Sequence, residues 1–209
     1  MASHFTSADG IAPSWEAPSV HTFSVDEFHQ LAAAGVLRQS DRIELVDGYI
    51  YDMTPIGAPH ATSVQKTLAA LWKLPLDAAG AWHVRIQQPL TLANSEPQPD
   101  LAIVRGVPDD YARRHPAAID VGLVIEVADA SLDFDRGRKL ASYAAEGISA
   151  YWIVDLANRR VEVFESPQRG AEGESAGYGQ HRAANFSDEL TIVLEGTTVG
   201  AIRVAEVLV

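Results

Sequence analysis

The 209-residue sequence contains no cysteine, which rules out disulfides and any thiolate metal site. Its seven histidines are scattered, without the close pairing of a zinc motif. No apolar run reaches membrane-spanning length, and Met1–Ala17 has neither the basic start nor the apolar block of a secretion signal. A cytoplasmic protein is the expectation. Positive charge is also scarce: 16 Lys+Arg face 28 Asp+Glu, a formal net charge of −12. Phosphate contacts need clustered Lys and Arg, so this balance weighs against casual nucleic-acid binding. It does not exclude it, because a local groove or a bound divalent cation reverses the field that a phosphodiester meets.

What remains is the composition of a globular protein, 47% hydrophobic and 21% charged, long enough to bury a core. Met1–Val20 is rich in Ser, Pro and Ala without period and reads as a flexible lead-in, leaving residues 21–209 as a single domain. In "SVDEFHQLAAAG" Ser24 caps a helix, with Glu27 completing a capping box and Gly35 stopping it. "RIELVDGYIYDM" is a hairpin about Asp47-Gly48, and pairing about that turn sets Glu44 opposite Tyr51. Val64, Leu68, Leu71 and Trp72 recur at helical spacing behind Pro59. "WHVRIQQPLTL" and "PDLAIVR" read as strands, followed by the strand "GLVIEVA", the helix "DFDRGRKLASYAAEG" and the strands "AYWIVD" and "RVEVFE". Ser166–Gln180, rich in Gly and Glu, is expected to be a mobile loop. Weaker strands follow near His181–Ala183 and Leu190–Leu194. Hairpin strands plus one strand–helix–strand unit imply an α/β class of fold, a mixed sheet flanked by helices.

Glu126 stands inside an otherwise apolar strand, where an unpaired carboxylate costs several kcal/mol. Asp100 opens the preceding strand, directly after Pro99. If the strands are neighbours, both acids lie at one end of the sheet, where they repel unless a cation sits between them. Oxygen ligation of that kind suits Mg²⁺ or Mn²⁺. Lys139 lies at the edge of the helix stripe Leu140, Tyr143, Ala144 and Gly147, so its stem can carry the ammonium to the strand ends. Arg136 is expected on the same side and Arg138 toward water.

In the order "RIELVDGYIYDMTPIGAPH", "PDLAIV", "LVIEVADASLDFDRGRKLASYAAEGISAYWIVD", the sequence resembles the PD-(D/E)XK restriction-endonuclease-like superfamily, and more narrowly its bacterial branch of Uma-type endonucleases. The resemblance covers roughly Phe23 to Phe164. It implies that Asp100 and Glu126 hold a divalent cation, with the Val127 carbonyl as a further ligand, and that Glu44 is an additional acid contributed from near the N-terminus. The E-x-K position of the superfamily is Ala128 here. In this branch the lysine comes from the following helix, and Lys139 fits that placement. The implied activity is Mg²⁺- or Mn²⁺-dependent hydrolysis of DNA phosphodiesters, with DNA as partner and a homodimer as the simplest way to cut both strands.

Each residue also has a plainer reading. Asp100 caps turns well, Glu126 could pair with Arg85 or Arg105, and Glu44 could pair with Arg42, Arg85 or a tyrosine hydroxyl. His60, in the first helical turn, either faces the cleft or is a hydrogen-bonded structural histidine. Gln88 either points into the site or serves the backbone. Tyr143, Tyr151 and Trp152 read as core, and no base-stacking platform of exposed aromatics among basic residues is visible. Two other functions fit the same fold: a non-cleaving nucleic-acid- or protein-binding module, and a metal-dependent hydrolase of another phosphoester.

Overall fold

The computed structural model describes residues 19–38, 40–77, 82–171 and 174–209; most of the expected lead-in, as far as residue 18, lies outside them. Helix α1 (Val25–Ala33) begins at Ser24, whose side chain and Glu27 form the expected capping box. Strands β1 (Ile43–Val46) and β2 (Tyr49–Asp52) make the hairpin, with Glu44 opposite Tyr51. Its turn needs left-handed backbone at both central residues, Asp47 (φ 51°) and Gly48 (φ 78°), the type I′ geometry that matches strand twist. A Cβ on Gly48 would also stand 2.6 Å from Thr22 Cβ. Helix α2 (Ala58–Leu71) carries Pro59 in its first turn.

The main sheet has six strands in the order β3 (Trp82–Ile86), β4 (Leu101–Arg105), β5 (Val121–Ala128), β6 (Ala150–Asp155), β7 (Arg160–Gln168) and β8 (Gly177–Asn185). Only β5 and β6 are parallel; the other neighbours are antiparallel. The parallel pair is bridged by helix α3, a continuous run built of Leu132–Phe134, a π-helical turn over Asp135–Lys139, and Leu140–Ala145. A second hairpin, β9 (Glu189–Leu194) and β10 (Thr197–Arg203), stands apart from this sheet. The result is the mixed α/β sheet flanked by helices that the sequence pattern implies.

Strand alternation sorts the core into two faces. Leu101, Ile103, Leu123, Ile125 and Val127 pack against Val64, Leu68 and Leu71 of α2 and against the β9–β10 hairpin. Ala102, Val104, Val124 and Ala128 face Tyr143 of α3. Every residue of β5 is buried, as expected of a central strand covered on both faces. Glu126 belongs by alternation to the α3 face, which decides where its partner must come from.

Two expectations on this fold are corrected. Ser166–Gln180 is not simply a loop: β7 runs on to Gln168 and β8 begins at Gly177, because pairing such as Pro167 with Tyr178 satisfies backbone groups that composition alone assigned to solvent. Arg136 does not share the side of Lys139. It bonds Glu162 and Asp155, since the wider π-helical turn moves the two side chains apart around the helix axis.

Candidate active site

The pairing of Leu101 with Ile125 brings the residue before β4, Asp100, level with Glu126. The Asp100 backbone N–H donates to Glu126 Oε2 at 3.2 Å, and the Val127 N–H donates to Asp100 Oδ2 at 2.9 Å. The two expected acids are thus locked in place by backbone, Glu126 by that of Asp100 and Asp100 by that of Val127. His60 Nε2 lies 2.9 Å from Asp100 Oδ2, because Pro59 starts α2 beside the strand ends. Gln87, with φ of 48°, turns its amide to Asp100 Oδ1 at 3.2 Å. Gln87 therefore takes the part considered for Gln88: both are exposed, but the left-handed backbone at Gln87 turns its own amide toward Asp100 and into the pocket lining.

Glu44 arrives from the β1–β2 hairpin. Segment 96–98 holds this strand in place: the Glu96 N–H donates to the Leu45 carbonyl at 2.7 Å, and the Gln98 N–H donates to Glu44 Oε2 at 3.1 Å. Lys139 Nζ then lies between Glu126 Oε1 at 2.9 Å and Glu44 Oε1 at 3.1 Å. Neither Arg85 nor Arg105 pairs with Glu126. Tyr143, one α-helical turn beyond Lys139, donates its hydroxyl to the same Glu126 oxygen at 3.0 Å, so this core tyrosine is also part of the site. Its spacing from Lys139 carried that signal. Asp135 was not anticipated. It is buried and accepts from Ser131 Oγ at 2.6 Å. A Ser-x-x-x-Asp pair at a helix start could have flagged it.

Glu44, His60, Gln87, Asp100, Glu126, Asp135 and Lys139 line one pocket of about 290 Å³, together with Arg42, Tyr51 and Phe134. Its electrostatics are unbalanced: Glu44, Asp100, Glu126 and Asp135 are all buried, and Lys139 is the one buried ammonium among them. Burial pushes the Glu126 carboxyl up to about 8, against the pull of Lys139 and with the help of Asp135, Asp100 and Glu44. Asp135 is pushed up to about 6 by burial, opposed by Lys139 and Ser131. Burial lowers Lys139, but Glu126, Glu44 and Asp135 outweigh it and hold the ammonium above the usual lysine range. The bond to Asp100 raises His60, against its partial burial. His60 Nδ1 is buried without a hydrogen-bond partner.

Among the described residues, no group of three or more His, Asp or Glu side chains stands ready to hold a metal ion as it is. The donor chemistry nevertheless fits a hard divalent cation. Carboxylates crowd a pocket with too little positive charge, and Glu126 is held up by desolvation and like-charged neighbours, a burden that a bound cation relieves. Asp100, Glu126 and the backbone of Val127 line this wall of the pocket.

Among the described residues no helix is long and apolar enough to cross a membrane. A family model described as Uma2, putative restriction endonuclease, matches residues 25–199. The fold is similar to the crystal structure of a putative nuclease belonging to DUF820 from Anabaena variabilis ATCC 29413, with a TM-score of 0.66 and 12% identity, covering 88% of this chain and 97% of that one. No curated protein matches the chain.

Proposed function

The chain belongs to the Uma2 family of putative restriction endonucleases, and from that premise we propose that it is a divalent-metal-dependent nuclease that hydrolyses DNA phosphodiester bonds. The observation that carries this reading is the convergence of Asp100, Glu126, Glu44 and Lys139 from four separate segments on one pocket. A lysine supplied by α3 also accounts for Ala128 at the position where the superfamily has its lysine.

In this reading Asp100 and Glu126, with the Val127 carbonyl, hold Mg²⁺ or Mn²⁺. The bound cation supplies Lewis-acid polarisation of the phosphate and an acidified water. Lys139 keeps its proton and offers a fixed positive charge to the phosphate oxygens as negative charge develops on them. Glu44 holds the ammonium from the side away from Glu126. His60 and Gln87 fix the two oxygens of Asp100, the kind of outer support that keeps a ligand carboxylate in one orientation.

A second reading draws on the absence, among the described residues, of a ready three-ligand group: a non-cleaving binding module in which Lys139, Glu126 and Glu44 form a buried ion network. Calorimetry with Mn²⁺ separates the two, run on the native chain and on Glu126→Ala with plasmid nicking followed in the same buffers. Binding and nicking lost together in the variant support the nuclease. A native chain that neither binds Mn²⁺ nor nicks leaves the ion network as the explanation of Glu126.

A further inference from the structure

Tyr51 on β2 and Phe134 at the start of α3 are far apart in sequence, yet their ring centroids lie 4.8 Å apart. Both line the pocket that contains Asp100 and Glu126. Both are half-buried, with part of each side chain in solvent. The guanidinium of Arg138, exposed to solvent, sits 6.0 Å from the Tyr51 ring centroid and 5.1 Å from that of Tyr49. Arg42 lines the same pocket, as do Met53 and Ile56. Two aromatic rings and the exposed Arg42 thus share the pocket with the buried carboxylates and with the exposed Asp52 and Asp129, and Arg138 stands beside the Tyr51 ring. Chain order hides this platform, because hairpin and helix contribute one aromatic wall each.

Such a pocket suits a particular kind of nucleic acid. A base inside a duplex is stacked on both faces and cannot offer one to Tyr51 or Phe134; an unpaired or extruded base can. Stacking on aromatic rings is also tolerant of sequence, since every base has a π-face. The overall deficit of positive charge, 16 Lys+Arg against 28 Asp+Glu, gives little support to a long basic track for duplex backbone. Arg42 in the pocket lining and Arg138 beside Tyr51 instead supply positive charge locally, close to the rings on which a base would stack. Resting on the nuclease reading above, we infer that the substrate is engaged as a single-stranded or locally unpaired nucleic acid, with one base seated against Tyr51 and Phe134 and the adjacent phosphate delivered to the buried carboxylates.

The test is fluorescence anisotropy with labelled DNA of one length and sequence, single-stranded and duplex, in Ca²⁺, with plasmid nicking in Mg²⁺ measured alongside. The native chain should bind the single strand about tenfold more tightly than the duplex, and Tyr51→Leu and Phe134→Leu should each erase about tenfold of that affinity. Arg138→Gln, at an exposed position that does not support the core, should reduce the salt dependence of single-strand binding by about one charge. Equal affinity for the two forms, or leucine variants that bind single strand like the native chain, overturns the inference; if nicking persists, the nuclease reading stands without it. A native chain that neither binds nor nicks DNA overturns both.

Discussion

Lys139 Nζ lies 2.9 Å from Glu126 Oε1, on the oxygen that also receives the Tyr143 hydroxyl. The contact depends on the π-helical turn. The Leu140 N–H reaches back to the Asp135 carbonyl, one residue further than in an α-helix, and this sets the phase of everything after it. Arg136, inside the same turn, ties it to Asp155 on β6 and Glu162 on β7. One helical turn is therefore pinned from two directions, with Lys139 facing the pocket.

Replacing Lys139 by methionine tests that arrangement. The substitution leaves Glu126 and Glu44 buried without their cation, for which a loss of about 3 kcal/mol in chemical denaturation is expected. Lys139 pulls the Glu126 carboxyl down to about 8, so its removal lifts that group further. The loss should therefore be level below about pH 8 and grow as pH rises above it, where native Glu126 is ionised beside its ammonium and the variant's still holds a proton. Nicking should fall about a hundredfold or more. A variant as stable and as active as the native chain would remove Lys139 from both roles.

Glu44→Gln separates holding the lysine from holding the metal. The amide still accepts a hydrogen bond from the Gln98 N–H but no longer matches the ammonium in charge. Mn²⁺ affinity measured by calorimetry should change less than about threefold, while the nicking rate drops about tenfold or more. An equal collapse of both would make Glu44 a metal ligand instead.

His60→Gln should weaken Mn²⁺ binding about tenfold, since Asp100 Oδ2 loses the partner that orients it. Gln88→Ala, at an exposed position, should leave affinity and nicking unaltered. Calorimetry on the pair distinguishes support of Asp100 from general disturbance of the pocket.

Glu162→Gln addresses the outer anchor of α3. Burial raises the Glu162 carboxyl, but Arg136 and Arg160 outweigh it and hold it below the usual glutamate value of 4.5. A lowered folded-state pKa stabilises above the unfolded value and is lost as pH falls through the folded one. The native chain should therefore exceed the variant in stability above pH 4.5, by about 1–3 kcal/mol, and the gap should close as pH falls below it. Thermal unfolding from pH 7 to pH 3 reads this directly; a gap independent of pH would mean that packing rather than charge supplies the difference.

The sequence alone determined most elements of the fold and the pair of acids. Alternation, capping and turn chemistry are local: Ser24 with Glu27, Asp47 with Gly48, and the apolar strand around Glu126 each declare themselves within a few residues. The order of Asp100, Glu126 and Lys139 along the chain was legible for the same reason. Tertiary structure decided what no local pattern encodes. A left-handed residue at Gln87 chose it over Gln88 as the partner of Asp100, and a π-helical turn sent Arg136 and Lys139 to different neighbours, because each breaks the periodicity from which side-chain direction is read. Strand pairing turned a Gly- and Glu-rich segment into the ends of β7 and β8, since backbone hydrogen bonds depend on a partner strand rather than on composition. Asp135 entered the pocket, and Tyr51 met Phe134 in its lining, only once the hairpin and α3 had packed together. Contacts between distant segments are set by packing and burial, and those belong to the folded chain as a whole.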